Sequence, residues 1–591
     1  MRILVRVVTA VLIAAWPPAA QPLPADLVLV NGTVLTVDAN DTVAEALAVR
    51  GGKIVAVGTT ADIRRLVNEE TRVIDLQGRT ATPGLIDTHL HVSPPSDQLD
   101  LSDPDIRTIA DLRERLRAEV ARHQPGEWVR GRGWDEGKLA EGRFLRASDL
   151  DPVSAQNPVW LTHTTGHYGV GNSLALTLAG VTRETPDPPA GAIERDADGR
   201  PTGLLKESAT GLVTRAIAGR DGGGRGRGAD AGAGLAVTFA NFNREGMTAV
   251  KDPGVSAARF RQYREMLDAG TLTVRVFALW RGGRTVESVD GTIAAMAAHP
   301  RLPATLGDGM LASGGVKLFM DGSGGARTGW MHDDWNTGST TVETGNSGFP
   351  TTDPDVYRAQ VRRLHGEGIH IGTHAVGDRA IDWVVDTYAE VLRAKPSRGL
   401  RHAIIHANIP TDRAIQTMAE LQRTFDAAYP EAQAPFMWWI GDTYAGNFGS
   451  ARSARLMPFQ TYLKSGVIWA GGSDYSVTPY PARYGLWSSV TRRTLRGTYG
   501  ETAFGTAEAI DVRAALRSYT IWAARQLFLE DRIGSLEAGK DADIAVWTQN
   551  PYAVPPDALK DLRCEMTMLA GRVVYPAPPP RSTRWPTPTG S

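Results

Sequence analysis

The sequence predicts an α/β protein, a (β/α)8 TIM-type barrel with a β-sandwich formed by both chain ends. Three observations predict it. Through the middle of the chain, β-like runs alternate with helical patterns, as βα units on a parallel sheet do. Eight such runs can be counted, the number a barrel of this type needs. At both ends, short β-rich runs are punctuated by turn pairs instead.

In chain order, residues 1–25 read as a signal peptide. Arg2 and Arg6 precede an apolar run over 7–16, followed by Pro- and Ala-rich sequence to Ala25. The run is short for a bilayer span, and an uncleaved anchor or a plain first strand is the alternative. Residues 26–82 hold β-like runs separated by Asn31-Gly32 and Gly51-Gly52, and 525–575 repeat that texture, so the two ends are expected to pair. The barrel is assigned 83–524, with strands ending near His91, Asp252, Leu279, Asp321, His374, His406, Ala428 and Asp474. The stretch 93–234 is too long for one crossover and reads as an insertion capping the site. Its glycine-rich end, 220–228, reads as a low-complexity loop, because a phosphate cradle would need a strand–turn–helix setting. Residues 576–591 form a Pro-rich tail.

Composition narrows the function classes. The 591 residues are 42% hydrophobic and 22% charged, with 64 Lys plus Arg against 65 Asp plus Glu. A net charge of -1 supplies no global field for nucleic acid or anionic lipid. The single cysteine, Cys564, excludes an intramolecular disulfide and a thiolate zinc cluster. A metal would therefore be held by histidine, carboxylate or something rarer.

The strongest local signal is the segment 83–91, which ends Asp87-Thr88-His89-Leu90-His91. Residues two apart in a strand point the same way, so His89 and His91 would project together, a pair suited to a divalent ion such as zinc. A structural histidine pair is the alternative. His374, His406 and Asp474 sit at three other strand ends, and all such ends meet at one face of a barrel. His370 and His402 come earlier in their runs and read as interior or lower-rim histidines. Lys317 in Gly315-Val316-Lys317-Leu318-Phe319 is a different case. An ammonium is repelled by divalent cations, whereas a lysine carboxylated by carbon dioxide is an anion able to bridge two of them. Spacing alone does not separate that from a buried ion-pair lysine.

With these motifs, 131–135, Thr202-Gly203, 315–322, 374–378, Gly472-Ser473-Asp474 and 534–543, the chain resembles the amidohydrolase superfamily. The likeness is strongest to the subgroup related to N-substituted formamide deformylases. The resemblance spans about 26–575. It implies two divalent metal ions, zinc foremost, with His89 and His91 on one and His374 and His406 on the other. It also implies a carbon dioxide-derived carbamate on Lys317 as the bridge, and Asp474 as a ligand and the catalytic base beside the nucleophilic water. Ile405 stands where relatives often carry Glu, and Tyr475-Ser476-Val477 replaces a commoner Trp-Pro-Val.

His167, Arg327 and Tyr475 are the candidate substrate contacts, with Gly166, Asn172 and Ser173 beside them; a structural role is the alternative for each. Phe436 to Trp439 reads as core before pocket, and Trp134 and Asp135 as fixing the insertion to the barrel. The expected function is metal-dependent hydrolysis of an amide or other non-peptide C–N bond. An ester, lactone or cyclic imide on the same metals is one alternative, and a non-catalytic binding protein the other. The expected partner is a small-molecule substrate, with no nucleic acid and no stable membrane insertion. A homo-oligomer is left open, and the expected location is periplasmic or extracellular.

Overall fold

A computed structural model of the protein describes residues 23–220, 227–300, 302, 304–337, 341–495 and 504–576. Residues 1–22 of the expected signal peptide (1–25), the centre of the glycine-rich loop (221–226) and the expected Pro-rich tail from 577 lie outside the described residues.

Eight parallel strands form one sheet in sequential order: β1 (Leu85–Asp87), β2 (Met247–Val255), β3 (Arg275–Arg281), β4 (Leu311–Phe319), β5 (Ile371–Ala375), β6 (Ala403–His406), β7 (Tyr429–Ala432) and β8 (Ala470–Gly471). The ring closes because Thr88 donates its N–H to the Gly471 carbonyl at 3.0 Å. Helices cover the outside, and their sequences show why. In Asp412–Phe425 the buried residues Ile415, Met418, Ala419 and Leu421 fall on one face, and the Thr411 hydroxyl caps the start by accepting from Ala414 N–H.

The β7 boundary corrects the sequence reading, which ended that strand near Ala428. Asp426 and Ala428 take φ of +54° and +66° as the preceding helix stops, so the chain joins the sheet only at Tyr429. The first strand is also shorter than expected. It ends at Asp87, and His89 and His91 lie beyond it, His89 in a bend.

Inside the barrel, Lys251 of β2 and Glu431 of β7 form a fully buried ion pair, with the Lys251 ammonium 5.0 Å from the Phe277 ring centroid. Below it, Ile86, Phe277, Leu279 and Ile405 pack with Ala523, Ala524, Leu527, Leu529 and Ile533 into an apolar floor. Ile405 is therefore part of this packing.

Both chain ends meet in a pair of sheets beside the barrel. Thr80–Pro83 pairs in parallel with Thr33–Leu35 and antiparallel with Ile544–Trp547, which puts N- and C-terminal strands in one six-stranded sheet. Leu29, Leu47 and Ile54 of the four-stranded sheet share a core with Ile544, Val546 and Met568. The insertion carries its own six-stranded sheet, from Leu99–Asp100 to Pro201–Glu207. The helix Arg227–Arg244 then leads into β2, so the expected limit of 234 falls within that helix. Among the described residues no helix is long and apolar enough to cross a membrane.

Candidate metal centre

The side chains at the C-terminal ends of the barrel strands converge on one cavity of about 400 Å³, lined by His89, His91, Lys317, His374, His406 and Asp474 and covered by the insertion. The chain reaches this geometry through a short backbone ladder. Asp474 N–H donates to the His89 carbonyl at 2.6 Å, and His91 N–H donates to the Tyr475 carbonyl at 2.7 Å. Residues past the end of β1 and past the end of β8 are thereby held side by side.

Asp474 Oδ1 lies 3.5 Å from His89 Nε2 and 3.2 Å from His91 Nε2. This oxygen is buried and has no hydrogen-bond partner among the described residues. A buried carboxylate oxygen without a partner is costly, and three ligand atoms within 4.8 Å of one another are what a divalent ion takes up. The donor set fits a metal on that observation. His374 and His406 stand beside this group, with ring centroids 4.4 Å apart.

Outer hydrogen bonds settle which nitrogen each of these two presents. His374 Nε2 lies 2.9 Å from the Gly322 carbonyl, which only accepts, so Nε2 carries the proton and Nδ1 is the free donor atom. His406 Nδ1 donates to Gln433 Oε1 at 2.7 Å, and Gln433 Nε2 donates in turn to the Glu431 carbonyl at 2.9 Å. That leaves His406 Nε2 for the cavity. Burial drives the basicity of these rings down, to about 3 for His406, so they are neutral and able to ligate. Burial also pushes the Lys317 ammonium down to about 7, against the opposing pull of Asp474 and Glu431. Burial works to raise the Asp474 carboxyl, but the His91 ring 3.2 Å away and the Lys317 ammonium hold it below the usual carboxylate range.

The three candidate substrate contacts are separated by the structure. His167 lines the cavity, its ring centroid 5.3 Å from that of His374. Its Nδ1 pairs with the Glu207 carboxylate at 3.0 Å, and Glu207 also accepts from Thr328 Oγ1 at 2.6 Å. Arg327, contrary to the sequence expectation, faces a neighbouring cavity, where Glu343 and Asn447 take its donors at 2.5 and 3.2 Å. Tyr475 is likewise turned away. Its ring packs on Tyr480 at 5.2 Å and Phe242 at 6.4 Å, and the next two residues, Ser476 and Val477, line the cavity instead. Asn172 is buried as a helix cap. Phe436 stacks on the His406 ring at 5.8 Å, which places that aromatic residue against the centre as well as in the core.

Glu207, Arg284, Phe319 and Gln433 were not among the expected site residues. Gln433 had a signal, since it follows the end of β7 as His406 ends β6; misplacing β7 hid it. His370 and His402 stay away from the cavity. His370 Nδ1 donates to the Leu400 carbonyl at 3.0 Å at the opposite rim, and His402 Nε2 pairs with His365 at 3.0 Å. In a second buried cluster, Asp135, Glu136 and His163, His163 Nε2 faces Glu136 at 3.3 Å and both carboxylates have other partners. Thr443 and Gly137 donate to Asp135 at 2.5 and 2.9 Å, and Tyr168 donates to Glu136 at 2.9 Å. The Thr443 bond fixes the insertion against the barrel.

Known proteins resemble the chain over nearly its whole length. Residues 72–575 match the model of the amidohydrolase family, and the short segment 46–66 matches an imidazolonepropionase-like composite domain of bacteria. The N-substituted formamide deformylase of Arthrobacter pascens is 29% identical, over 93% of this chain and 98% of its own. The protein LONG AFTER FAR-RED 3 of Arabidopsis thaliana is 28% identical, over 95% and 93%. In fold, an uncharacterized metal-dependent hydrolase from Pyrococcus horikoshii superimposes with a TM-score of 0.65, covering 90% of this chain and 99% of its own at 23% identity. With its barrel, its paired chain ends and a family match over most of its length, the chain belongs to the amidohydrolase family.

Proposed function

We propose that this protein is an exported hydrolase that cleaves an amide or other non-peptide C–N bond of a small molecule with water. The observation that carries the reading is the unpartnered, buried Asp474 Oδ1 facing two histidine nitrogens, in one cavity with Lys317, His374 and His406. His89 and His91 would hold one divalent ion, zinc foremost, and His374 Nδ1 and His406 Nε2 a second, with carboxylated Lys317 between them. Bound there, such ions supply Lewis acidity and an activated water at neutral pH.

The chain's own residues do the rest. Near neutrality a good part of Lys317 is the neutral amine, which takes up carbon dioxide with loss of one proton to give the carbamate. Asp474, held as a carboxylate, takes a proton from the attacking water at an oxygen and returns it to the leaving nitrogen. His167, oriented by Glu207, stands on the insertion side of the cavity, within reach of the substrate. The formamide deformylase among the relatives supports an amide as the bond cleaved.

Metal analysis of purified protein, with a panel of amides, formamides, esters, lactones and cyclic imides, tests the proposal. About two metals per chain and fastest turnover of a C–N substrate are expected; protein free of stoichiometric metal overturns it. Lys317→Ala is expected to lose metal and activity, with partial rescue by short carboxylates such as formate. Undiminished metal content in that variant rejects the bridging role. Export is tested by fractionating the source cells, and a cytoplasmic location rejects it.

A further inference from the structure

We propose that Arg284 anchors an anionic group of the substrate, so that the amide cleaved here bears a carboxylate a few bonds from its carbonyl. This rests on the hydrolase reading above and names the substrate class of the same site. Arg284 lines the cavity that holds the histidines and Asp474. Its backbone is fixed to the centre itself. Gly282 N–H donates to the Lys317 carbonyl at 3.0 Å, and the Gly282 carbonyl accepts from Ser288 Oγ at 2.7 Å. On the other side, Gln360 Nε2 donates to the Thr285 carbonyl at 2.9 Å. The turn needs its two glycines. A Cβ on Gly282 would meet Leu318 at 2.6 Å, and Gly283 has φ +74° with Ser288 Oγ 2.3 Å from where its Cβ would be.

The side chain on this fixed base is free. Arg284 is exposed and, among the described residues, makes no hydrogen bond or ion pair. Neighbouring polar groups of the lining are already committed. His167 is paired with Glu207, Thr164 Oγ1 donates to the Val477 carbonyl at 2.9 Å, and Thr165 Oγ1 is 2.9 Å from His163 Nδ1. A guanidinium stays charged at any working pH, and its planar fork matches a carboxylate with two parallel bonds. Carboxylate is favoured over phosphate because Arg284 is the only arginine of the lining among the described residues. The nearby helix start is also closed, since the Thr285 hydroxyl accepts from Ser288 N–H. Phe319 and Val477 add apolar wall for the body of the molecule.

The test pairs N-formyl alanine, leucine and phenylalanine, in both enantiomers, with the matching N-formyl amines that lack the carboxylate. For metal-loaded protein, kcat/KM is expected to favour at least one acid over its neutral partner by about 30-fold, the size of a charge-assisted contact. Arg284→Gln is expected to bring that ratio to near 1, and Arg284→Lys to an intermediate value. The ratio is insensitive to partial misfolding, because both probes share any lost protein. Calorimetric binding of the same pairs separates the two proposals. If no probe is cleaved but an acid binds tighter through Arg284, the anchor stands, and the hydrolase reading is decided separately by metal content and the wider panel. No acid bound or cleaved better than its neutral partner, or an unchanged ratio in Arg284→Gln, overturns the anchor.

Discussion

His406 and Asp474 reach the cavity through left-handed backbone, with φ of +75° and +55°. That conformation is uncommon for residues other than glycine and concentrates at functional sites. Alternation along β6 buries Ile405 in the apolar floor, so the turn at His406 is what brings its ring to the centre. The sequence showed a histidine at the end of an apolar run but not this rotation. It likewise gave no sign of Glu207 or Arg284, whose approach depends on how the insertion and the β3 turn fold. The pairing of Arg327 with Glu343 and Asn447 was hidden for the same reason, these partners lying 16 and 120 residues away. One residue gives a sharp prediction. Gln433→Leu removes the acceptor that fixes the His406 ring, and metal affinity, measured by competition with a chelating dye, is expected to fall by about 10- to 100-fold.

At the scale of elements, the barrel was legible because its helices carry long one-sided apolar patterns, whereas its last three strands are short, of four, four and two residues, and bounded by unusual backbone. β8 has two residues, and β7 opens with Tyr429-Pro430 after two left-handed residues. The join before β7 is held by Asp426. Burial works to raise its carboxyl, but the hydrogen bond from Tyr429 at 2.5 Å and the Arg401 and Arg525 guanidiniums hold it below the ordinary value. A depressed carboxylate stabilises the fold above its unfolded pKa of about 3.9, and the benefit is lost as pH falls through the lower folded value. Asp426→Asn is therefore expected to destabilise the protein by about 2 kcal/mol at pH 7. The difference from the parent protein should shrink below about pH 4, as followed by urea unfolding across pH.

In the whole molecule, barrel and sandwich are joined by a buried charge cluster. Arg275 of β3 reaches Asp543 at 2.7 Å and Asp541 at 3.1 Å, both on the segment that leads into the C-terminal strands. Removing the cation leaves two buried carboxylates with one fewer partner. Arg275→Leu is expected to cost about 3 kcal/mol, read as a lowered melting temperature by calorimetry. The pairing of the ends was legible from their matching turn-rich texture; this link between the domains was not, because a lone arginine in a strand carries no signal of its partners.

The packed floor has a further consequence. With Leu527, Leu529 and Ile533 closing the lower end, the cavity opens where His91 and Arg284 are exposed. Reactant and both fragments must share that doorway. A fragment that lingers keeps the next reactant out, so the steady-state pattern expected is product inhibition competitive with substrate, visible as progress curves that slow before the reactant is exhausted.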